Sequence, residues 1–184
     1  ELFDQVISTL PSHALLKIEW IGIKAPHLFK TLAQTFHPPL ALCFQGFKRQ
    51  QIQHPLDGFG FLVPEKEKRK ILGTLFSSTL FQNRAPKNYV LLTTFVGGER
   101  NPELCNLPDN EILEYAYKEN QKLLGIEGKP TFEHIKLWPK SIPIPDSTLD
   151  ARIKAASTLS IKNKGLQILG SHLNGAPLPN CMVL

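Results

Sequence analysis

Four strand-length apolar runs crowd into the stretch from residue 40 to residue 96: Leu40–Phe47, Gly58–Val63, Ile71–Thr79 and Tyr89–Val96. Polar or Gly/Pro-bearing connections divide them, a pattern that predicts a meander of antiparallel strands. The runs are apolar on both faces. In "GFGFLVP" (58–64), Phe59, Phe61 and Val63 share one side of an extended ribbon, while Leu62 falls on the other among glycines. In "YVLLTTFV" (89–96), Leu91, Thr93 and Phe95 share a face, and Gly97-Gly98 end the run. Protein core needs only one apolar face of such a ribbon. The second face implies an apolar cavity beside the sheet.

The flanks read as helix and strand in alternation. Residues 4–9 form a short buried strand closed by Pro11, and Pro26 opens a helix running to about Thr35 with Leu28, Leu32 and Phe29 inward. "PDNEILEYAYKENQKLLG" (108–125) carries the strongest helical pattern. Asp109 can cap it, Ile112, Leu113, Ala116, Leu123 and Leu124 line one side, and Gly125 stops it. A strand follows over Thr131–Trp138, then a proline-rich connection. Ser147 with Asp150 reads as a capping box for a helix carrying Leu149, Ile153, Ala156 and Leu159, and residues 165–171 as a last buried strand. The class is therefore α+β.

Bulk properties narrow the function by exclusion. The chain has 184 residues, 42% hydrophobic and 20% charged, as in ordinary globular proteins. Its net charge of +5 suits anionic ligands or an anionic membrane surface. The basic residues are scattered rather than striped with aromatics, so nucleic acid is not expected as a partner. Lys66, Lys68, Arg69 and Lys70 are diluted by Glu65 and Glu67 and read as a solvated hairpin tip. Cys43, Cys105 and Cys181 form no CxxC pair, so neither a disulfide framework nor a zinc site is predicted, and a reducing setting is expected. No apolar run reaches the length of a membrane span. The opening "ELFDQVISTLP" reads as the middle of something longer, with a strand whose sheet neighbours lie outside this sequence.

Catalytic constellations are missing. The six histidines lack metal-ligand spacing, "GFGFLVP" lacks the third glycine of a dinucleotide fingerprint, and His172 reads as a structural loop histidine. No metal site and no catalytic side chain is predicted.

The run "HPLDGFGFLVPEKEKRKILGTLFSSTLFQNRAPKNYVLLTTFVGGERN" resembles the substrate-domain core of oxygen-dependent protoporphyrinogen oxidases, flavoenzymes of haem biosynthesis. "ELFDQVISTLP", "LLGIEGKP", "LWPKSIPIPDS" and "LQILGSHLNGAPLPNC" resemble further blocks of that family in the same order, so the likeness covers nearly the whole chain. It implies an amine-oxidase-like fold: a mixed, largely antiparallel substrate-domain sheet with helices, plus pieces of a Rossmann-like FAD-binding domain. On that template residues 1–20 and 138–184 are FAD-domain segments, and residues 21–137 form the substrate-binding domain of a C-terminal fragment.

The resemblance further implies FAD as cofactor, with protoporphyrinogen IX and molecular oxygen as reactants. Leu62 and Leu75 would sandwich a ring of the macrocycle, and Phe95 would stack against another. Phe61 and Phe76 would face the core. Trp138 would contact FAD, and Ala176, Pro177 and Leu178 would pass along the isoalloxazine ring. There Pro177 and Pro179 remove N–H donors that the family's usual run supplies. Peripheral membrane contact through a part of the protein outside this sequence, a homodimer, and a cytoplasmic or organellar membrane-face location are compatible with it. Two other readings stand beside it: another amine-oxidase-like flavoprotein of the desaturase type, and a cofactor-free domain binding tetrapyrroles or lipids.

Overall fold

The computed structural model describes residues 3–182. Its elements run β1 (Val6–Ser8), α1 (Leu28–Ala33), β2 (Leu40–Lys48), β3 (Gly60–Leu62), β4 (Ile71–Leu75), α2 (Ser77–Leu80) and β5 (Tyr89–Gly97). Then come α3 (Asp109–Leu124), β6 (Phe132–Trp138), α4 (Leu149–Lys162), β7 (Leu166–Ile168), α5 (Ser171–Asn174) and α6 (Leu178–Cys181). The chain forms two compact units, residues 1–37 with 142–184, and residues 38–141.

In the first unit β1 and β7 pair in parallel, Val6 opposite Leu166 and Ser8 opposite Ile168. Parallel pairs need a crossover, and here the chain between the two strands is long. α4 lies against this pair with Ala155, Ala156 and Leu159 buried, joined by Leu15, Phe29 and Leu32. Trp20 stacks on Phe29 at 4.4 Å, and its indole N–H donates to the Leu15 carbonyl at 2.8 Å. The first boundary between the units falls after α1, since Phe29 and Leu32 are buried in this core. The second falls at Ser141, whose N–H and hydroxyl both donate to the Pro38 carbonyl, at 2.9 and 2.8 Å.

The second unit is a five-stranded sheet in the order β3-β4-β5-β2-β6. All its pairings are antiparallel. Only β3, β4 and β5 follow as a simple meander. β2, the longest apolar run with β5, takes the protected position between β5 and β6, where nine and seven of its residues find partners. One face is closed by α3, which presents Ile112, Ala116, Tyr117, Asn120 and Leu124 to Ala41, Cys43, Phe47, Leu92 and Val96. Each buried Ile, Leu, Val or Phe among them contributes about 1.5–3 kcal/mol of burial free energy. Under the helix, Asn120 accepts from the Thr74 hydroxyl at 2.8 Å and donates to the Thr94 hydroxyl at 2.7 Å, both fully inside the core.

A β-bulge interrupts β4 between Ile71 and Gly73. Ile71 pairs with Val96 toward α3, whereas Gly73 pairs with Phe95 on the opposite face. The extra residue, Leu72, exchanges the two faces within one short strand.

Several local expectations are corrected. β4 stops at Leu75 instead of running to Thr79, because the following serines bond locally: Ser77 Oγ lies 2.7 Å from Thr93 Oγ1, and Ser78 Oγ accepts the Leu91 N–H at 3.0 Å. Asp109 is the first helical residue rather than the cap, a position held by Pro108. Ser147 and Asp150 form no capping box. Thr148 takes the cap position, and the Asp146 carboxylate accepts from its N–H and hydroxyl at 2.8 and 2.6 Å.

Candidate functional site

In a strand pair, residues directly opposite one another project to the same side of the sheet. The register therefore decides where the candidate wall residues lie. Leu62 is opposite Gly73, and Gly73 is opposite Phe95. Gly60 is opposite Leu75, and Leu75 is opposite Thr93. Leu62, Leu75 and Phe95 thus share the face turned away from α3. Two glycines sit among them, and this placement requires glycine: a Cβ on Gly73 would come within 3.1 Å of Leu62 Cδ2, and one on Gly60 would strike the Thr74 carbonyl. The Leu62 side chain thus leans over Gly73.

The spacing suits a ring. Leu62 and Leu75 are diagonal neighbours, about 7–8 Å apart in an antiparallel pair. A planar ring touching apolar carbons on both sides needs roughly 3.5–4.0 Å to each. Leu62 is 85% exposed, and Leu75 and Phe95 are half-buried, so the three form an open wall. Phe61 and Phe76 face the other way and pack into the core under α3.

Three further wall residues were not singled out from the sequence. Leu40, Leu42 and Phe44 alternate along β2 and pair with Gly97, Phe95 and Thr93, so they lie on the same face and are half-buried. Their period of two was readable in "LALCF". Trp138, opposite Leu40 on β6, also stands on this face and is 46% exposed.

Ala176, Pro177 and Leu178 lie in the first unit, in the exposed turn between α5 and α6, with Pro177 at the N-cap of α6. Beside them is a cavity of about 270 Å³ lined by Arg152, Ile153, Ser171, His172, Asn174 and Gly175 among others. Sequence reading placed His172 in a loop. It occupies the short helix α5 and is buried, and burial, then His37 and Arg152, push its imidazole down to about 4. Its Nε2 and the Nε of Arg152 have no hydrogen-bond partner among the described residues. Arg152 is fully buried and pairs with Asp146 at 2.8 Å. The Thr148 hydroxyl and N–H and then Arg152 hold the Asp146 carboxyl down at about 2. No apolar pattern could have signalled a buried arginine on α4. Two buried nitrogens without partners, beside a largely apolar cavity, fit a polar heteroaromatic group such as a flavin.

Among the described residues no cluster of His, Cys, Asp or Glu is placed to hold a metal ion, and no helix is long and apolar enough to cross a membrane. Burial, then the nearby Cys105, pushes the Cys43 thiol up to about 12, which makes it a packing group and not a nucleophile.

The mitochondrial protoporphyrinogen oxidase of Nicotiana tabacum is 38% identical over 178 residues, covering 95% of this chain and 35% of that protein. Protoporphyrinogen oxidase 2 of Arabidopsis thaliana, chloroplastic/mitochondrial, is 34% identical, covering 94% and 35%. The chain thus spans about a third of the length of these curated relatives. A solved structure from Exiguobacterium sp. shares the fold at a TM-score of 0.72 and 23% identity, covering 97% of this chain and 38% of that one. A family model described as flavin containing amine oxidoreductase matches residues 1–176. With that match running over nearly its whole length, the chain belongs to the flavin containing amine oxidoreductase family.

Proposed function

We propose that this chain forms the substrate wall and part of the flavin site of an FAD-dependent oxidase that converts protoporphyrinogen IX to protoporphyrin IX with molecular oxygen. The observation that carries the reading is the shared face: Leu62, Leu75 and Phe95 stand together on the apolar sheet surface turned away from α3, with glycine opposite each leucine. The names of the Nicotiana and Arabidopsis relatives support the same substrate.

The chain's own residues do the work of binding and exclusion. Leu62 and Leu75 grip a pyrrole edge, Phe95 stacks on a neighbouring ring, and Leu42 and Phe44 extend the floor. Burying the faces of the macrocycle supplies the binding free energy at about 25 cal/mol per Å² of apolar area and drives water off the reacting carbon. In the first unit the turn at Ala176, Pro177 and Leu178 would hold FAD, together with the nitrogens of His172 and Arg152, and Trp138 is taken separately as an FAD contact of the second unit. Bound FAD would supply the hydride acceptor and, through oxygen, its own reoxidation. None of the described side chains is needed as a catalytic base. The organellar names of the plant relatives support an organellar setting in a eukaryotic parent. Peripheral membrane contact and a homodimer complete the reading.

In the full-length flavoenzyme, Phe95→Ala and Leu75→Arg should raise the apparent KM for protoporphyrinogen IX while bound flavin per protein, read by absorbance, stays unchanged. Loss of flavin with substrate affinity retained would refute the assignment.

A further inference from the structure

The rows that hold the wall residues do not end at Phe95. The first continues Leu62, Gly73, Phe95, Leu42, Lys136 across all five strands, and the second Gly60, Leu75, Thr93, Phe44, His134. Each row is apolar or small until β6, where it ends on a nitrogen base. Both end groups are held on this face by aromatic contacts. Lys136 Nζ lies 5.3 Å from the Trp138 ring centroid, and the His134 ring stacks on Phe44 at 6.0 Å and 28°. None of the ion pairs among the described residues engages Lys136. The acidic residue of β6, Glu133, projects to the opposite side and accepts from Gln45 at 2.8 Å. No strand residue on the wall face is acidic.

Distances follow from strand geometry. Lys136 stands two strand spacings from Phe95, about 10 Å, and His134 two residues from Lys136, about 7 Å. A lysine at a sheet edge can serve merely to discourage strand pairing. That role does not require a histidine beside it, nor a place at the end of the substrate rows.

We propose that Lys136 and His134 receive the rim carboxylates of the macrocycle whose apolar body lies on Leu62, Leu75 and Phe95. This rests on the substrate reading above and adds what fixes the orientation of the ring: an apolar floor would let a flat macrocycle turn, and two nitrogen donors at one border would not. Lys136 and His134 are binding and specificity residues, with no part in the redox step.

The test uses the full-length flavoenzyme with two substrates, protoporphyrinogen IX and its dimethyl ester, which lacks the charges. Lys136→Met keeps the apolar stem on Trp138 and removes the ammonium. It should raise KM for the free acid roughly three- to fivefold, as loss of a charge-assisted contact at an exposed site does, and leave the ester nearly unchanged. His134→Gln should act in the same direction, and Lys136→Arg should restore most of the loss. Equal rises for acid and ester would mean a structural role and overturn the proposal. Unchanged values for both, with Phe95→Ala still raising KM, would also overturn it while leaving the substrate wall standing. If Phe95→Ala is silent as well, the wall reading itself fails and this proposal with it.

Discussion

Leu62→Ala separates substrate binding from folding more sharply than any other substitution in the chain. Leu62 is 85% exposed, so the fold draws almost nothing from it. Truncation to alanine should change stability by no more than about 0.5 kcal/mol, as at other surface sites. If the macrocycle covers this side chain, binding feels the loss of three carbons at about 0.8 kcal/mol each when fully buried. With contact on one or two sides, roughly 1–2 kcal/mol should go, equivalent to about five- to thirtyfold in affinity. The assay is equilibrium titration of the full-length flavoenzyme with protoporphyrin IX by fluorescence quenching, beside a thermal melt and a flavin absorbance ratio. The expected pattern is weakened porphyrin binding, an unmoved melt and full flavin. An unmoved affinity would refute the wall. A large fall in melting temperature would show that Leu62 is covered by protein, and the reasoning would fail at its first step.

Other perturbations test the packing. Asn120→Ala removes the amide shared by the Thr74 and Thr94 hydroxyls beneath α3, and should cost about 2–4 kcal/mol in denaturant unfolding through the buried groups left unpaired and the cavity. Thr74→Val in the same background should recover part of it, and additive losses would contradict the network. For His172, the folded state holds the imidazole at about 4 against an ordinary 6.5, so between those values the unfolded chain binds more protons. Stability should therefore fall as pH drops from 6.5 toward 4. His172→Phe should flatten that part of the profile, measured as denaturation midpoint against pH, and an unchanged profile would show that His172 is not held neutral.

How much of this was readable from residues alone varies with the kind of force involved. The β2 and β5 runs, α3 with its Gly125 stop, and the inward Phe29 and Leu32 were legible, because apolar period and terminating residues dictate them directly. Gly125 takes a φ of 62°, where glycine is favoured. The strand order was not legible. A meander and the observed insertion of β2 between β5 and β6 place the same residues in the same periods, and only long-range pairing separates them. Tyr117 and Asn120 were missed on the buried stripe of α3, and Arg152 on that of α4, since an apolar period carries no mark of a polar group that enters a core with its own partners. The wall was half-legible: "LALCF" and "YVLLTTFV" show it by alternation, while the end of each row on Lys136 and His134 depends on register.

The bulge at Leu72 has a bearing on how such a surface can change over time. Upstream of it odd-numbered positions point to the helix, and downstream they point to the ligand face. Removing Leu72 would restore strict alternation with Ile71 still opposite Val96 and Gly73 still opposite Phe95, so both faces would keep their residues. A single-codon deletion at the bulge could therefore be absorbed without exchanging lining for interior, whereas the same deletion within β2 would turn the residues on one side of it to the opposite face.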